Sequence, residues 1–478
     1  MVVLVLLSLI WTWLFFENAP GINVLLFTIC LMVAQGWTSP QVWQEGSNKY
    51  IGLLWLAAAI AVAWHGSALA VLATLLITLA GTGLRYLPAT SIPTSLLNST
   101  ASIAASFLYD MLAQKPESEQ HKNNLSSRLS RLIKLGLIPG IIIFLFFILY
   151  VIASDNFGDM SERIFEHLSM GRFFFFGFGF VLLYGLFHYQ PIRPLSEQDI
   201  NTGDALERIR KRKYRSFAIL ALRNEYLRAI LLFSGLNLLL VIFHLSDLLD
   251  FLRPTAAFTN YSALVHQGVN TLILSILLAI VLILFHFRGN LNFYSKSRPL
   301  RQLVYGWIAL NALLVITTLI KNYGYIEHYG LTYKRIGVIY FLVLAMAGLL
   351  LTGIKVSQRR NFWFLLRSNA WVILVVSTFF SLFHWNGIIS QYNLQRGLGY
   401  EYVLKLGDSN TQIIAQYLEV KPYAFAHECK LHALWNTKLA RSTRQLRNLR
   451  ESTWLDYQQT SYLQHLPENP AISPQHCD

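Results

Sequence analysis

The chain has 478 residues, of which 54% are hydrophobic and 13% are charged, and its formal net charge is +14. Soluble domains carry a charged fraction of about 25%, so this composition argues against an ordinary soluble protein. No nucleic-acid-binding signature accompanies the basic excess, and we expect no nucleic-acid partner; basic loops of a membrane protein explain the charge.

The apolar residues form continuous runs that lack Asp, Glu, Lys and Arg. A membrane-spanning helix needs roughly 20 such residues, and runs without alternation predict helices rather than a β-barrel. We therefore predict an all-α fold, a polytopic transmembrane helical bundle of about 11 spans with a small helical extramembrane C-terminal tail. The predicted spans lie at 1–16, 21–36, 51–64, 68–86, 135–153, 171–188, 227–245, 268–287, 302–320, 336–354 and 370–385.

Four regions follow along the chain. They are N-terminal transmembrane helices (1–90), an amphipathic helix with a cytoplasmic linker (91–134), a transmembrane core (135–387) and an extramembrane helical tail (388–478). In 91–112, apolar residues recur at helical spacing from Ile92 to Met111, which predicts a helix lying at the membrane interface.

The tail is polar and helix-prone. Within it, residues 400–465 predict a small helical unit that is dispensable for membrane insertion. Basic residues from Lys438 to Arg450 recur every three positions, so this helix could lie on anionic lipid or against an envelope protein partner; a solvated face is the alternative.

The distribution of Lys and Arg predicts the orientation. The loops after predicted spans four, six, eight and ten hold about 23 such residues, against about 6 in the loops after spans five, seven and nine. The positive-inside rule then places the N-terminus in the cytoplasm. With about 11 spans the tail is external, in the periplasm if the membrane is a bacterial inner membrane.

Several ordered motifs lie between positions 215 and 400. They are NEY at 224–226, VHQGVNTLILSILLAI at 265–280, FRGNLNF at 287–293, YGLTYKRIG at 329–337 and WNGIISQYNL at 385–394. These motifs resemble a bacterial family of polytopic membrane proteins, the domain of unknown function number four-one-seven-three. The resemblance implies a many-span protein of the bacterial inner membrane, and it implies no activity.

A cluster of polar residues is predicted on the external side. Buried without partners, such groups cost about 1–3 kcal/mol each, so they must meet water, each other or a ligand. We predict that they line an external vestibule; interfacial anchoring and helix–helix hydrogen bonding are the alternative. The candidates are His266, Gln267, Asn270, Glu327, His328, Thr332, Lys334, Arg335 and Asn386.

Three classes of function stay open. Transport or translocation of a small molecule or lipid suits a many-span bundle with a polar mouth. A membrane enzyme using a lipid-linked donor would need a carboxylate or His at the boundary, such as Glu327 or His328. An envelope sensor or assembly partner would use the tail. No cofactor or metal motif stands out, and we see no charged residue in the middle of spans five to eleven.

Overall fold

A computed structural model gives the fold of the chain. It describes residues 1–38, 46–112, 146, 150, 153–154, 170–207, 217–252, 261–287, 290–294, 296–421, 429–444 and 452–464. These residues are mostly helical, and within them the only β-type pairing is a single bridge between Ala205 and Arg360. The predicted all-α helical bundle is confirmed.

The chain forms two compact units. The first comprises residues 1–198 and 447–454, and most of it consists of apolar helices that pack against their neighbours in sequence, while α1 and α5 also pack against α6. Its helices are α1 (Val2–Phe15), α2 (Ile22–Thr38), α3 (Gly46–His65), α4 (Ala68–Tyr86), α5 (Ile92–Leu112) and α6 (Met170–Phe187).

A short helix, α7 (Arg193–Asn201), leads to the second unit, which comprises residues 199–446 and 455–478. This unit has five long apolar helices, of which the first four pack around Phe233, Ile283 and Trp307 and the fifth packs against the fourth. They are α8 (Phe217–Leu252), α9 (Tyr261–His286), α10 (Arg298–Tyr329), α11 (Tyr333–Gln358) and α12 (Phe362–Ser381).

Shorter helices follow α12, and the first four of them pack around Leu394, Val403 and Ile414, so the predicted tail is helical. They are α13 (Trp385–Arg396), α14 (Tyr400–Lys405), α15 (Thr411–Val420), α16 (Cys429–Arg444) and α17 (Trp454–Gln464).

Six helices in the described part of the chain are long and apolar enough to cross a membrane, so the protein has the makeup of a membrane protein. They cover Ala68–Tyr86, Met170–Phe187, Arg223–Leu249, Arg298–Tyr329, Tyr333–Gln358 and Phe362–Ser381. Shorter apolar helices lie at Val2–Phe15, Ile22–Thr38, Lys49–His65 and Leu274–His286. All predicted spans coincide with these helices except 135–153, which falls almost entirely outside the described residues.

An ion-pair cluster fixes the segment before α8 to the start of α12. The guanidinium of Arg367 lies 2.8 Å from Asp199 Oδ1 and 2.5 Å from Asp204 Oδ1. It also donates to the carbonyl oxygen of Thr202 at 3.0 Å. Because Arg367 has several donors in a rigid fork, one side chain can hold both carboxylates and the loop between them.

Candidate functional site

The buried side of α5 carries small polar residues. Its members recur every three or four positions, so they form one stripe along the helix, and each is at most 2% exposed. The opposite side carries Leu97 and Leu108, which are 58% and 53% exposed. The helix predicted for 91–112 is therefore present, and its inward side is the polar one. The stripe consists of Thr94, Ser95, Asn98, Ser99, Ser102 and Ser106.

The first half of the stripe packs against α4. A Cβ atom added to Gly83 would lie 2.6 Å from the Cβ of Ser95, so the two helices approach closely at this point. One turn further along α5, Ser99 Oγ donates to the carbonyl oxygen of Leu79 at 2.7 Å. Because rising numbers on α5 meet falling numbers on α4, the two helices are antiparallel.

The second half of the stripe packs against α6 and the segment after it. Ser102 Oγ donates to the carbonyl oxygen of Gly185 at 2.8 Å and accepts from the backbone N–H of Gln190 at 3.0 Å. Asn98 Nδ2 donates to Ser196 Oγ, and Asn98 Oδ1 accepts from the backbone N–H of Ile192. Side-chain groups of α5 thus satisfy backbone groups at the point where α6 ends.

The stripe ends at Asp110. Tyr184 of α6 donates its hydroxyl to Asp110 Oδ2 at 3.1 Å, and Gln190 Nε2 donates to Asp110 Oδ1 at 3.3 Å. The ring of Tyr184 stacks on His188 with the centroids 4.1 Å apart. The helix between Ser95 and Asp110 is about 22 Å long, most of the thickness of the hydrocarbon layer. An ionisable side chain therefore lies well along a helix that packs between two candidate spans.

Ser106 lies one turn before Asp110 on the same side of α5. It is fully buried, and its hydroxyl has no hydrogen-bond partner within the described residues. Of the other buried serines of the stripe, Ser99 and Ser102 donate to backbone carbonyl oxygens, and Ser95 bonds to the hydroxyl of Thr90. Among the buried serines of the stripe, Ser106 is thus the one whose hydroxyl could bond to a ligand or a water molecule.

Sequence reasoning missed Asp110 and Ser106 because it followed the apolar residues of 91–112. The signal was present on the opposite side, where Ser95, Ser99, Ser102, Ser106 and Asp110 recur at three or four positions. Such a stripe is typical of a helix that hides small polar side chains from lipid.

The structure places the predicted vestibule residues in the second unit. His266, Gln267 and Asn270 lie in α9, and their side chains fall outside the described part of the chain. Glu327 lies near the end of α10, 3.9 Å from the guanidinium of Arg396. His328 Nδ1 lies 2.9 Å from the carbonyl oxygen of Gly324 in its own helix.

The turn between α10 and α11 is held by Asn393. The amide of this residue accepts from the backbone N–H of Leu331 at 2.6 Å and donates to the carbonyl oxygen of the same residue at 2.9 Å. Arg335 is buried, donates to the carbonyl oxygen of Gly330 and lies 4.0 Å from the ring centroid of Tyr325. Two predicted site residues thus belong to this turn: Arg335 holds it, and Thr332 begins α11 as its N-cap.

Asn386 lies at the other end of α13. Its Oδ1 accepts from the hydroxyl of Tyr333 at 2.8 Å, and its Nδ2 donates to Ser409 Oγ at 2.9 Å. Lys334 is exposed. Asn386 and Arg396 are about 15 Å apart along α13, so the contacts of Asn386 and of Glu327 lie at opposite ends of that helix. That these residues share one vestibule with His266 stays a prediction.

The tail has its own charged groups. Burial lowers the pKa of Lys438 to about 8, and its Nζ donates to the carbonyl oxygens of Leu406 and Gly407. Hydrogen bonds from Lys405 and Lys430 lower the pKa of Glu401 to about 2. Lys438, predicted to lie on a basic surface, is fully buried because it satisfies these two backbone carbonyls.

No group of three or more His, Cys, Asp or Glu side chains that could hold a metal ion occurs among the residues described above. None of the curated proteins and none of the solved structures compared with the chain matches it. The sequence model of one family does match, over residues 1–417, well beyond the 215–400 region of the motifs. Its number, 4153, differs from the four-one-seven-three that the motifs suggested. Because the match covers most of the sequence, the chain belongs to the family described as Domain of unknown function (DUF4153).

Proposed function

We propose that this protein translocates a small polar solute or an ion across the membrane, along the buried stripe of α5. The observation that carries the proposal is Asp110, an ionisable side chain at the end of the stripe, bonded to Tyr184 and Gln190. Ionisable residues among membrane helices are costly, and they usually belong to ion, proton or substrate paths.

In this proposal α5 lies inside the membrane, between α4 and α6, rather than on the membrane surface. Both neighbours are candidate spans, and α5 bonds to their backbones through Ser99 and Ser102. The exposed side with Leu97 and Leu108 then faces lipid, while the polar groups face other helices. Hydrocarbon favours this arrangement because it offers no hydrogen-bond partner to a polar group.

Helix packing alone explains the first part of the stripe. Small and hydroxyl-bearing residues allow helices in lipid to approach closely, as Ser95 does against Gly83. Ser106 and Asp110 fit that explanation poorly, because the Ser106 hydroxyl bonds to no described group and an ionisable side chain is costly among membrane helices. These two residues distinguish a translocation path from a purely structural stripe.

The location that goes with this function is a bacterial inner membrane, with the N-terminus in the cytoplasm and the tail in the periplasm. The charge bias of the loops after α6 supports this orientation, whereas the charge of 113–134 opposes the insertion of α5. With it, α4 ends at the cytoplasmic side, and Asp110 lies toward the external half of the bilayer.

The other two classes of function have less support. The enzyme hypothesis needs an available carboxylate or His, but Glu327 lies beside Arg396 and His328 contacts its own helix. The partner hypothesis relied on a basic surface of the tail, and Lys438 at its start is buried.

Solute entry into proteoliposomes tests the proposal. Vesicles that hold the purified full chain are shrunk osmotically with a panel of salts and small polar solutes, and re-swelling is followed by light scattering. We expect faster re-swelling than in protein-free vesicles for at least one solute. D110N should slow it, while T100A, a change on the exposed side of α5 whose hydroxyl bonds only its own helix, should not.

Two outcomes would contradict the proposal. If every solute enters at the protein-free rate, the chain does not translocate members of this panel and the proposed function fails. If D110N and T100A both match the wild type for a solute that does enter, the path does not run along α5.

A further inference from the structure

We propose that Ser409 and His384 form a catalytic pair that cleaves an acyl ester at the membrane surface, with the serine as the nucleophile and the imidazole as its base. Nε2 of His384 lies 3.1 Å from Oγ of Ser409. A nucleophile and its base need a spacing of about 2.6–3.2 Å, and this pair meets it. The proposal is independent of the translocation path, because it concerns the second unit and not α5. It uses neither Glu327 nor His328.

The serine lies beside the N-terminus of a helix. Ser409 belongs to the single 3-10 turn at Asp408–Asn410, which leads directly into α15. Asn410 is the N-cap residue of α15, and its side chain makes no capping hydrogen bond. The first turn of a helix presents backbone N–H groups and a partial positive charge. A carbonyl oxygen that gains negative charge during attack by Ser409 is therefore stabilised at this place.

The hydrogen bonds around Ser409 leave its proton for the imidazole. Nδ2 of Asn386 donates to the serine oxygen at 2.9 Å, and an amide nitrogen does not accept. The hydrogen of the hydroxyl can then point at Nε2 of His384, which accepts it in the tautomer that is protonated on Nδ1. The hydroxyl of Tyr333 donates to Oδ1 of Asn386 at 2.8 Å and so orients the amide. Asn386 is thus a positioning residue for the serine.

Packing fixes the ring of His384. This residue is the N-cap of α13, and its ring lies against the backbone of that helix. A Cβ added to Gly387 would come 2.5 Å from Nδ1 of the ring, so the glycine makes the space that the imidazole occupies. The other ring nitrogen, Nε2, contacts Ser409. The start of α13 therefore holds the base in position for the nucleophile.

The proposed pair is partly exposed, unlike the polar pairs beside it. Ser409, His384 and Asn386 are half-buried. Two neighbouring pairs are also joined by side-chain hydrogen bonds, but each of their residues is at most 1% exposed, as is typical of structural contacts. These buried pairs are Asn410 with Ser390 and Thr411 with Ser442. A substrate can thus reach the oxygen of Ser409 but not the hydroxyls of the buried pairs.

The position of the pair relative to the membrane indicates the class of substrate. The candidate span α12 ends at Ser381, three residues before His384. Phe379 and Leu382, on either side of this end, are 55% and 48% exposed, which suits contact with lipid. Ester carbonyls of membrane lipids lie at the same depth, between the headgroups and the hydrocarbon. The substrate class that fits this place is an acyl ester carried by a lipid.

The reaction has two halves. The oxygen of Ser409 forms a bond to the ester carbonyl carbon, and Nε2 of His384 takes the hydroxyl proton. The ester C–O bond then breaks, and the imidazole gives this proton to the leaving alcohol. In the second half, water or the hydroxyl of an acceptor molecule attacks the acyl-serine and loses a proton to the imidazole. Ser409 leaves with that proton, and the products are the alcohol and a carboxylic acid or a new ester.

A fluorophosphonate probe tests the proposal, since it reacts with a serine that a base activates: the oxygen bonds to phosphorus and fluoride leaves. The purified full chain in proteoliposomes is treated with the probe, and modified peptides are mapped by mass spectrometry. We expect label at Ser409 in the native chain and none in the heat-denatured chain. The same vesicles should hydrolyse p-nitrophenyl octanoate, which enters the bilayer, faster than p-nitrophenyl acetate. The reverse order would exclude a lipid-borne ester.

Three variants complete the experiment. S409A should lose the label, and H384N should slow labelling by about 100-fold or more, as expected for loss of a general base. Asn is a favoured N-cap residue, so H384N removes the imidazole and keeps the cap of α13. S357A is the matched control and should keep the wild-type rate, because Ser357 is exposed and bonds to a carbonyl oxygen of its own helix.

Several outcomes would overturn the proposal. One is labelling of H384N at the wild-type rate with an unchanged thermal midpoint. Another is label spread evenly over the exposed serines of the chain. A native chain that reacts at Ser409 no faster than the denatured chain would also refute it, whatever the behaviour of H384N and whatever the result for solute entry.

Discussion

At the scale of single residues, Gly330 gives the sharpest stability prediction. Its φ is +82°, and an added Cβ would lie 2.5 Å from Oδ1 of Asn393, whose amide holds Leu331. Gly330→Ala should therefore lower the free energy of unfolding by about 1–3 kcal/mol, measured as a fall in thermal midpoint in detergent. Gly337→Ala is the matched control, because that glycine is helical with no atom within 4 Å. Equal thermal midpoints for the two variants would contradict the role of Asn393 in holding this turn.

Lys438 gives a prediction on pH. Its folded-state pKa of about 8 lies below the ordinary value of 10.5, so the unfolded chain binds more protons between these two pH values. The stability of the tail should therefore rise with pH through this window, by roughly 3 kcal/mol at most. The measurement is amide hydrogen exchange of α16 in the full chain, corrected for intrinsic rates, relative to K438M. A difference between the two proteins that does not change with pH would refute it.

At the scale of helices, the contact between α5 and α6 depends on Gly185. A Cβ at this position would overlap the backbone Cα of Ile103, which cannot rotate away. We expect Gly185→Ala to separate the helices and to lower thermal stability by about 1–3 kcal/mol. Gly177→Ala, in the same helix but in open space, should have no such effect. If both variants lose thermal stability to a similar extent, the loss does not come from the close contact of Gly185 with α5.

The position of α5 relative to the membrane gives another prediction. If α5 is inserted as proposed, the chain just past its described end emerges on the external side. The charge of 113–134 predicts a cytoplasmic linker instead. A single cysteine at position 114 should thus react with an impermeant maleimide in intact cells. If this cysteine reacts only after permeabilisation, α5 is not inserted and lies instead at the cytoplasmic surface of the membrane.

The sequence predicts most of the helices and little of their packing. Long apolar runs such as 302–320 coincide with described helices because hydrocarbon thickness sets their length. For α5 the apolar pattern predicted a helix at the membrane interface, and it did not predict that the small polar side packs against other helices. The partners of Asp110 lie far along the chain, at Tyr184 and Gln190, and no local pattern encodes such a pairing.

For the molecule as a whole, the loop charges predict which side of the membrane each segment faces. Exposed positions 207 and 334 lie on opposite sides by this rule, the first in the cytoplasm. E207C should therefore stay unlabelled by an impermeant reagent in intact cells, whereas K334C should react. Both should react once the membrane is permeabilised, which controls for access. If only E207C is labelled in intact cells, the orientation of the protein is the reverse of the predicted one.

The family match reaches past the membrane helices into the tail, ending at residue 417 within α15. Contacts explain why this part of the tail accompanies the bundle of the second unit. The hydroxyl of Tyr402 accepts from the backbone N–H of Tyr333, and Ser409 accepts from Asn386. These polar contacts between separated segments were not predictable from a chain in which both segments are simply polar.

The polar stripe of α5 also bears on how the protein is made. The ribosome completes α5 well before α6, which ends at Phe187, and Ser102 finds its partner only there. An Asp at the centre of a lone helix raises the free energy of entry from the translocon by about 2.5–3.5 kcal/mol, and Asp110, close to the end of α5, raises it by less. With α5 in the membrane as proposed, we expect it to stay at the translocon until α6 has been synthesised. The two helices then enter the membrane together, although α5 is synthesised earlier.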